Sequence, residues 1–86
     1  MANQHYYLWV KSNCPFCIEA QKVLLENIKS HTVHIMDDKL EELENVKKLR
    51  NHPTVPIVVL QEDDEETFIG GCSELKKWFD KGEKSD

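Results

Sequence analysis

Nowhere in this chain do about 18 consecutive apolar residues occur, the length a membrane span requires, so no membrane partner is expected. Positive charge is in deficit: 11 Lys and Arg stand against 16 Asp and Glu, giving a net charge of −5. A nucleic-acid binder needs clustered cations to neutralise phosphates, so that class of partner is excluded too. Cysteines number three, and an odd count leaves one unmatched in any framework of paired disulfides. A close pair with a spare suits a reducing compartment. Met1–His5 carries neither the charged nor the apolar region of a signal peptide, and a cytoplasmic location is the expectation. Internal repeats and low-complexity linkers are missing as well. Because 86 residues bury too little apolar surface for two cores, residues 1–86 are read as a single domain.

What is present alternates between strand and helix signals. His5–Lys11 (HYYLWVK) is aromatic and β-branched, is cut off by Ser12 and Asn13, and reads as a first strand. Pro15 suits the first turn of a helix, where a missing N–H costs nothing, and Cys17, Ala20, Leu24 and Ile28 recur on one face; this helix is expected to run to about Ser30. Thr32–Met36 reads as a second strand, parallel to the first through a right-handed crossover. Asp38 and Glu41 resemble a capping box, followed by an apolar stripe of Leu40, Leu43, Val46 and Leu49, with acidic residues early and basic residues late to match the helix dipole.

Pro53 and Pro56 end that second helix and introduce Ile57–Leu60, a buried strand. The acidic run Gln61–Glu66 is expected as a hairpin connection, and Thr67–Ile69 as a fourth strand. Gly70 and Gly71 permit a tight turn. Ser73 is placed as the cap of a last helix with Leu75, Trp78 and Phe79 facing inward, and 82–86 as a frayed tail. The order βαβαββα describes an α/β protein with a single sheet covered by helices.

The chemistry lies in Cys14 and Cys17. Disulfide exchange needs one accessible, ionised thiol and a second close enough to resolve the mixed disulfide that the first one forms. With the helix starting at Pro15, Cys14 sits at its N-terminal end, where unpaired N–H groups and the positive end of the dipole favour a thiolate. Cys17 lies one turn further on, on the apolar face, and is expected to act second. Lys11 adds a positive charge that favours the anion or attracts an anionic substrate; its alternative is a solvated lysine at a strand end. A CxxC pair also occurs in zinc sites, for which Cys72 and His52 are the further candidate ligands, and an inert structural pair is the third reading.

Three motifs in order, Lys11-Ser-Asn-Cys-Pro-Phe-Cys17 after a strand, Thr54-Val-Pro56 before another, and Gly70-Gly-Cys72 before a helix, resemble those of glutaredoxins. The resemblance spans almost the whole chain. It implies a minimal thioredoxin fold, a four-stranded mixed sheet with three helices. It also implies glutathione as co-substrate with no tightly bound cofactor and no metal, Cys14 as nucleophile, Cys17 as resolving thiol, and a cis Pro56 whose preceding backbone pairs with the substrate.

Lys11, Phe16, Thr54, Val55, Pro56, Gly71, Cys72 and Ser73 are then the expected glutathione-binding residues, with the γ-glutamyl carboxylate at the N-terminus of the last helix. Ser73 as a simple cap and Cys72 as a small packed thiol remain the plain alternatives. The implied partners are glutathione and disulfide-containing or glutathionylated proteins, ribonucleotide reductase among them, with the chain as a monomer.

Departures from the family pattern are Phe16 where Tyr is common, Asn51-His52-Pro53 where Gln or Arg often meets the glycyl carboxylate, and Ser73-Glu74 in place of an Asp pair. Two rival functions share the motifs. One is an electron donor of the same fold that is reduced by a thioredoxin reductase. The other is a module that binds zinc or an iron–sulfur cluster, against which Pro15 counts, because cluster-binding members usually lack that proline.

Overall fold

Alternation in the first strand sets up both halves of the core. In β1 (Gln4–Val10), Tyr6, Leu8 and Val10 are buried while Tyr7 and Trp9 are half-buried on the opposite face. The computed structural model describes residues 4–80, so the expected tail at 82–86 lies outside them. α1 (Pro15–Glu26) leads to β2 (His31–Ile35), which pairs parallel with β1. α2 (Leu40–Arg50) leads to β3 (Ile57–Glu62), antiparallel to β1 on its other side, and β4 (Glu65–Gly70) pairs antiparallel with β3. α3 (Cys72–Asp80) closes the described chain, and the sheet order is β2-β1-β3-β4. This is the mixed sheet and element order expected from the sequence.

Two apolar clusters flank the sheet. Tyr6, Leu8, Val10, Val58 and Leu60 meet Cys17, Ala20 and Leu24 of α1 and Cys72 and Leu75 of α3 on one side. Trp9 and Ile57 meet Met36, Leu43 and Val46 on the α2 side. β3 is covered on both faces, so its first four residues are all buried, and this explains their unbroken apolar run. Trp78 Nε1 donates to Tyr6 Oη at 3.1 Å, giving the indole N–H of α3 a partner across the core. Lys76 and Glu19 pair α3 with α1 at 2.9 Å, but both side chains are half-exposed and the link contributes little.

The structure corrects several boundaries. α1 stops at Glu26, four residues before the expected end at Ser30. Ile28 N–H donates to Leu25 O and Lys29 N–H to Leu24 O, the pair of bonds that closes a Schellman motif, with Ile28 in the left-handed region at φ 55. Ile28 is therefore 90% exposed instead of lying on the inner face. The Asp38–Glu41 capping box does not form. The chain turns through Met36–Lys39 first, so Lys39 occupies the cap position with no side-chain bond, one residue later than the box requires.

Of the α2 stripe only Leu43 is buried; Leu49 is 74% exposed, because the helix rests on the sheet through its middle turn. Most of the acidic run is strand, not connection. Gln61 and Glu62 extend β3, Glu65 and Glu66 begin β4, and the turn is Asp63–Asp64, with Asp63 at φ 53.

Two substitutions four residues apart in α1 and its cap are expected to move stability in opposite directions. Leu24→Ala opens a cavity in the core and should cost about 2–5 kcal/mol. Ile28→Gly relieves a β-branched residue of a left-handed backbone and should gain about 0.5–1 kcal/mol. Urea unfolding of the reduced protein measures both, and a loss of stability on Ile28→Gly would contradict the strained cap.

Candidate active site

The site is built on the first turn of α1. Cys14 stands at the N-cap with extended backbone (φ −139, ψ 106), and Pro15 takes the first helical position. Ser, Thr, Asp and Asn usually fill an N-cap because their oxygens accept a free N–H of the first turn. Here sulfur does so: Cys17 N–H donates to Cys14 Sγ at 3.2 Å, and the N–H groups of Cys17 and Ile18 both reach Cys14 O at 3.1 Å. Cys14 is half-buried, Cys17 fully buried, and all three cysteines are free thiols. Burial, and then a side-chain hydrogen bond with Cys14, push the Cys17 thiol up to about 12. The two sulfurs of one motif thus differ sharply: one is reachable and accepts hydrogen bonds, and the other is enclosed and keeps its proton.

The loop before Cys14 is tied down by a residue the sequence did not single out. Asp37, just past β2, accepts from the Ser12 N–H at 3.0 Å and from the Ser12 hydroxyl. Those two bonds, with Lys11 nearby, hold its carboxyl below the ordinary range. Twenty-five residues separate the partners, so no local spacing signals the contact. Lys11 is exposed at the end of β1 and does not line the cleft described next.

A cleft of about 340 Å³ lies beside the motif, lined by Phe16, His52, Thr54, Val55, Pro56, Cys72, Ser73 and Glu74. Six of the eight expected binding residues outside the cysteine motif's own pair are thereby brought together; Gly71 borders the same space. The Val55–Pro56 peptide is cis, as the resemblance implies. Phe16 is 67% exposed and forms an apolar wall. At α3 the expected cap is corrected: Gly71 holds the N-cap position, Ser73 is exposed in the first turn, and Glu74 Oε1 reaches back to accept the Gly71 N–H at 2.8 Å.

Gly71 is where the walls meet. A side-chain carbon there would stand 3.3 Å from Glu74 Oε1, 3.3 Å from His52 Nε2 and 3.5 Å from Pro56 O. Gly70, at φ 123, lies so close to Glu74 that any Cβ would fall 2.8 Å from its Cγ. Cys72, 7% exposed, lines the cleft, and burial pushes its thiol up.

His52 arrives by a second Schellman motif. Asn51 is left-handed at φ 52, its N–H bonds Lys48 O, and His52 N–H bonds Lys47 O at 2.9 Å. Its ring meets Phe68 edge-on at 5.7 Å, and Arg50 lies 6.0 Å over Phe68 while pairing with Glu66 at 2.9 Å. A second hollow of about 340 Å³ at the end of α2 shares His52 but contains no cysteine, so it is not the seat of the thiol chemistry. Among the described residues no group of three or more His, Cys, Asp and Glu is arranged to hold a metal.

The glutaredoxin family model matches residues 7–64. The chain belongs to the glutaredoxin family. Solved structures agree. The dithiolic glutaredoxin 2-C-Grx1 of Trypanosoma brucei brucei is 31% identical with a TM-score of 0.70, over 90% of this chain and 78% of that one. Glutaredoxin 1 of Francisella tularensis is 25% identical with a TM-score of 0.73, over 95% and 99%. A wheat glutaredoxin, 23% identical over 91% of this chain and 71% of that one, shares the fold with a TM-score of 0.76. No curated protein sequence matches. As a glutaredoxin with its two motif cysteines adjoining at the head of α1, the protein is a thiol–disulfide oxidoreductase.

The unequal settings of the three thiols predict their order of reaction. Brief treatment of the reduced native protein with iodoacetamide near neutral pH should modify Cys14 alone, with Cys17 and Cys72 labelled only after unfolding. Raised thiol values in the fold also mean stability that is complete below the ordinary cysteine value of about 9 and lost as pH climbs toward 12. Peptide mapping by mass spectrometry reads the first expectation, and chemical unfolding at stepped alkaline pH the second. Labelling of Cys17 ahead of Cys14 would reverse the assignment.

Proposed function

We propose that this glutaredoxin is a glutathione-dependent dithiol–disulfide oxidoreductase, reducing protein disulfides and glutathione mixed disulfides. The observation that carries the reading is the Cys14 sulfur capping α1 beside a cleft whose far wall is the start of α3. In the first step the Cys14 thiolate attacks a disulfide sulfur of the substrate. A Cys14 mixed disulfide forms, the substrate S–S bond breaks, and the departing thiolate takes up a proton. When the remaining partner is a protein, Cys17 loses its proton and attacks Cys14 Sγ, releasing the second substrate thiol and leaving a Cys14–Cys17 disulfide. Two glutathione thiols then reduce that bond in turn and leave as glutathione disulfide. When the remaining partner is glutathione, a second glutathione thiolate resolves the adduct directly and Cys17 is not needed.

The cleft suits the tripeptide. Thr54 and Val55 offer backbone groups for strand-like pairing, and Phe16 offers an apolar wall. Cys72 and Ser73 present first-turn N–H groups of α3 to a carboxylate. Glu74 satisfies the N–H of Gly71 and so leaves those of the next residues to the ligand. Lys11, exposed on the approach to Cys14, supplies long-range attraction for an anion.

Replacing the cysteines one at a time tests the division of labour. Cys14→Ser should reduce every exchange to background. Cys17→Ser should retain turnover of a glutathione mixed disulfide while losing reduction of a protein disulfide. Assays coupled to glutathione reductase read the glutathione route, and a parallel assay with thioredoxin reductase reads the competing electron source. Turnover only in the parallel assay would refute the co-substrate proposed here.

A further inference from the structure

The two edges of the sheet are built differently. β4 begins with the exposed Glu65 and Glu66, and its ladder with β3 is interrupted by a bulge at Val58/Val59. Charge and bulges keep an open edge from pairing with another chain. β2 has neither. Its sequence, His31-Thr-Val-His-Ile35, contains no Lys, Arg, Asp, Glu or Pro, its register with β1 is unbroken, and among the described residues β1 is its only strand neighbour. At its two ends Tyr6 N–H bonds Ser30 O and Met36 N–H bonds Val10 O. Bonding residues alternate along a parallel ladder, so the backbone groups of Thr32 and His34 turn toward β1, and those of His31, Val33 and Ile35 turn outward.

Apolar surface flanks that edge. Ile35 is 59% exposed on the strand itself, and Val33, on the same face, packs against the α1 cluster. Ile18 and Leu25 are exposed on α1. At 3.6 residues per turn they share one flank of the helix, opposite the flank from which Glu19 reaches Lys76 of α3. Because α3 lies over β3 and β4, the Ile18–Leu25 flank is turned to the β2 side of the sheet. Charges of opposite sign stand at the two ends of β2. Lys29, whose Nζ donates to Gln4 Oε1 at 3.2 Å, precedes the strand; Asp37 and Asp38 follow it, ahead of the α2 cap Lys39.

We propose that β2 is a self-pairing edge, through which two copies of the reduced chain join antiparallel about a twofold axis at Val33. Val33 then pairs with its counterpart and His31 with Ile35 of the second copy, so every outward-facing residue of both strands gains a partner and the two four-stranded sheets become one. Charge decides the direction. The antiparallel register sets Lys29 of each copy against Asp37 and Asp38 of the other, whereas a parallel mate would bring like ends together. The same operation keeps both α1 helices on one face, antiparallel, with Ile18 of each facing Leu25 of the other, and it covers Ile35. The edge is its own complement in charge and in apolar surface, which favours a second copy over an unrelated extended peptide. The cleft, walled by Phe16, Pro56 and the start of α3, lies on the far side of β1 and stays open in the pair. The monomer implied by the family resemblance is then the dilute form.

The test is sedimentation equilibrium of the full chain at about pH 8, in excess reductant so that no disulfide links two copies. The mass should rise from the chain's 10.1 kDa toward twice that value between about 10 µM and about 1 mM, the range of a small, weak interface. Amide hydrogen exchange followed by NMR over the same range should slow at His31, Val33 and Ile35 and stay as it was at Thr32 and His34, an alternation that contact between side chains alone does not produce. Ile35→Lys should weaken association at least about tenfold while the fold is retained. Lys29→Glu and Asp38→Lys should each weaken it, and the two together should restore it. A mass that stays at one chain up to about 1 mM overturns the pairing. So does association whose new protection falls on β4 or on no strand, or a double variant no better than the weaker single one.

Discussion

One contact organises the chemistry of this protein: the N–H of Cys17 donating to the sulfur of Cys14 at the head of α1. It places the first sulfur where helix N–H groups are unpaired and the second one turn deeper, against Ala20 and Leu24. A helix start is a poor place to leave donors unsatisfied, and the acceptor supplied here is the sulfur that we propose as the nucleophile. Local stability and reactivity are therefore served by the same bond. The cap is kept in register from outside the helix, by Asp37 gripping the Ser12 loop and by the end of β1 leading into it.

The sheet explains why the cleft has the walls it has. β1 and β3 are central, so β3 is apolar on both faces and its N-terminal end, entered through cis Pro56, is brought to the C-terminal end of β1 and hence to Cys14. α3 packs beside α1 on one face, which sets Cys72 and Glu74 opposite Phe16. α2 lies on the other face and contributes only its terminal turn, where the left-handed Asn51 swings His52 into the site. A residue remote in sequence thus enters the cleft through a helix cap.

Much of this was legible in the residues. Alternation in Tyr6–Val10, the apolar face of Cys17, Ala20 and Leu24, and the continuous run Ile57–Leu60 each declare an element because burial imposes its own period. The cysteine pair declares its chemistry by spacing, and the cis bond at Pro56 was legible only through the family resemblance. Other features resisted for physical reasons. Ile28 looked like a core residue by periodicity, yet a Schellman turn formed without glycine and expelled it. Ser73 looked like the cap of α3, but Glu74 has the reach to take that role and Gly71 has no side chain to share it. Asp37, Phe68 and Arg50 act through contacts between distant segments, for which no local pattern exists.

The central claim is that the sulfur capping α1 is the nucleophile and that neither enclosed thiol replaces it. The most direct measurement is to incubate the Cys17→Ser variant with glutathione disulfide and locate the adduct by peptide mapping. The account predicts one glutathione per chain, attached to Cys14. An adduct on Cys72 in place of Cys14, or none at all, would contradict it.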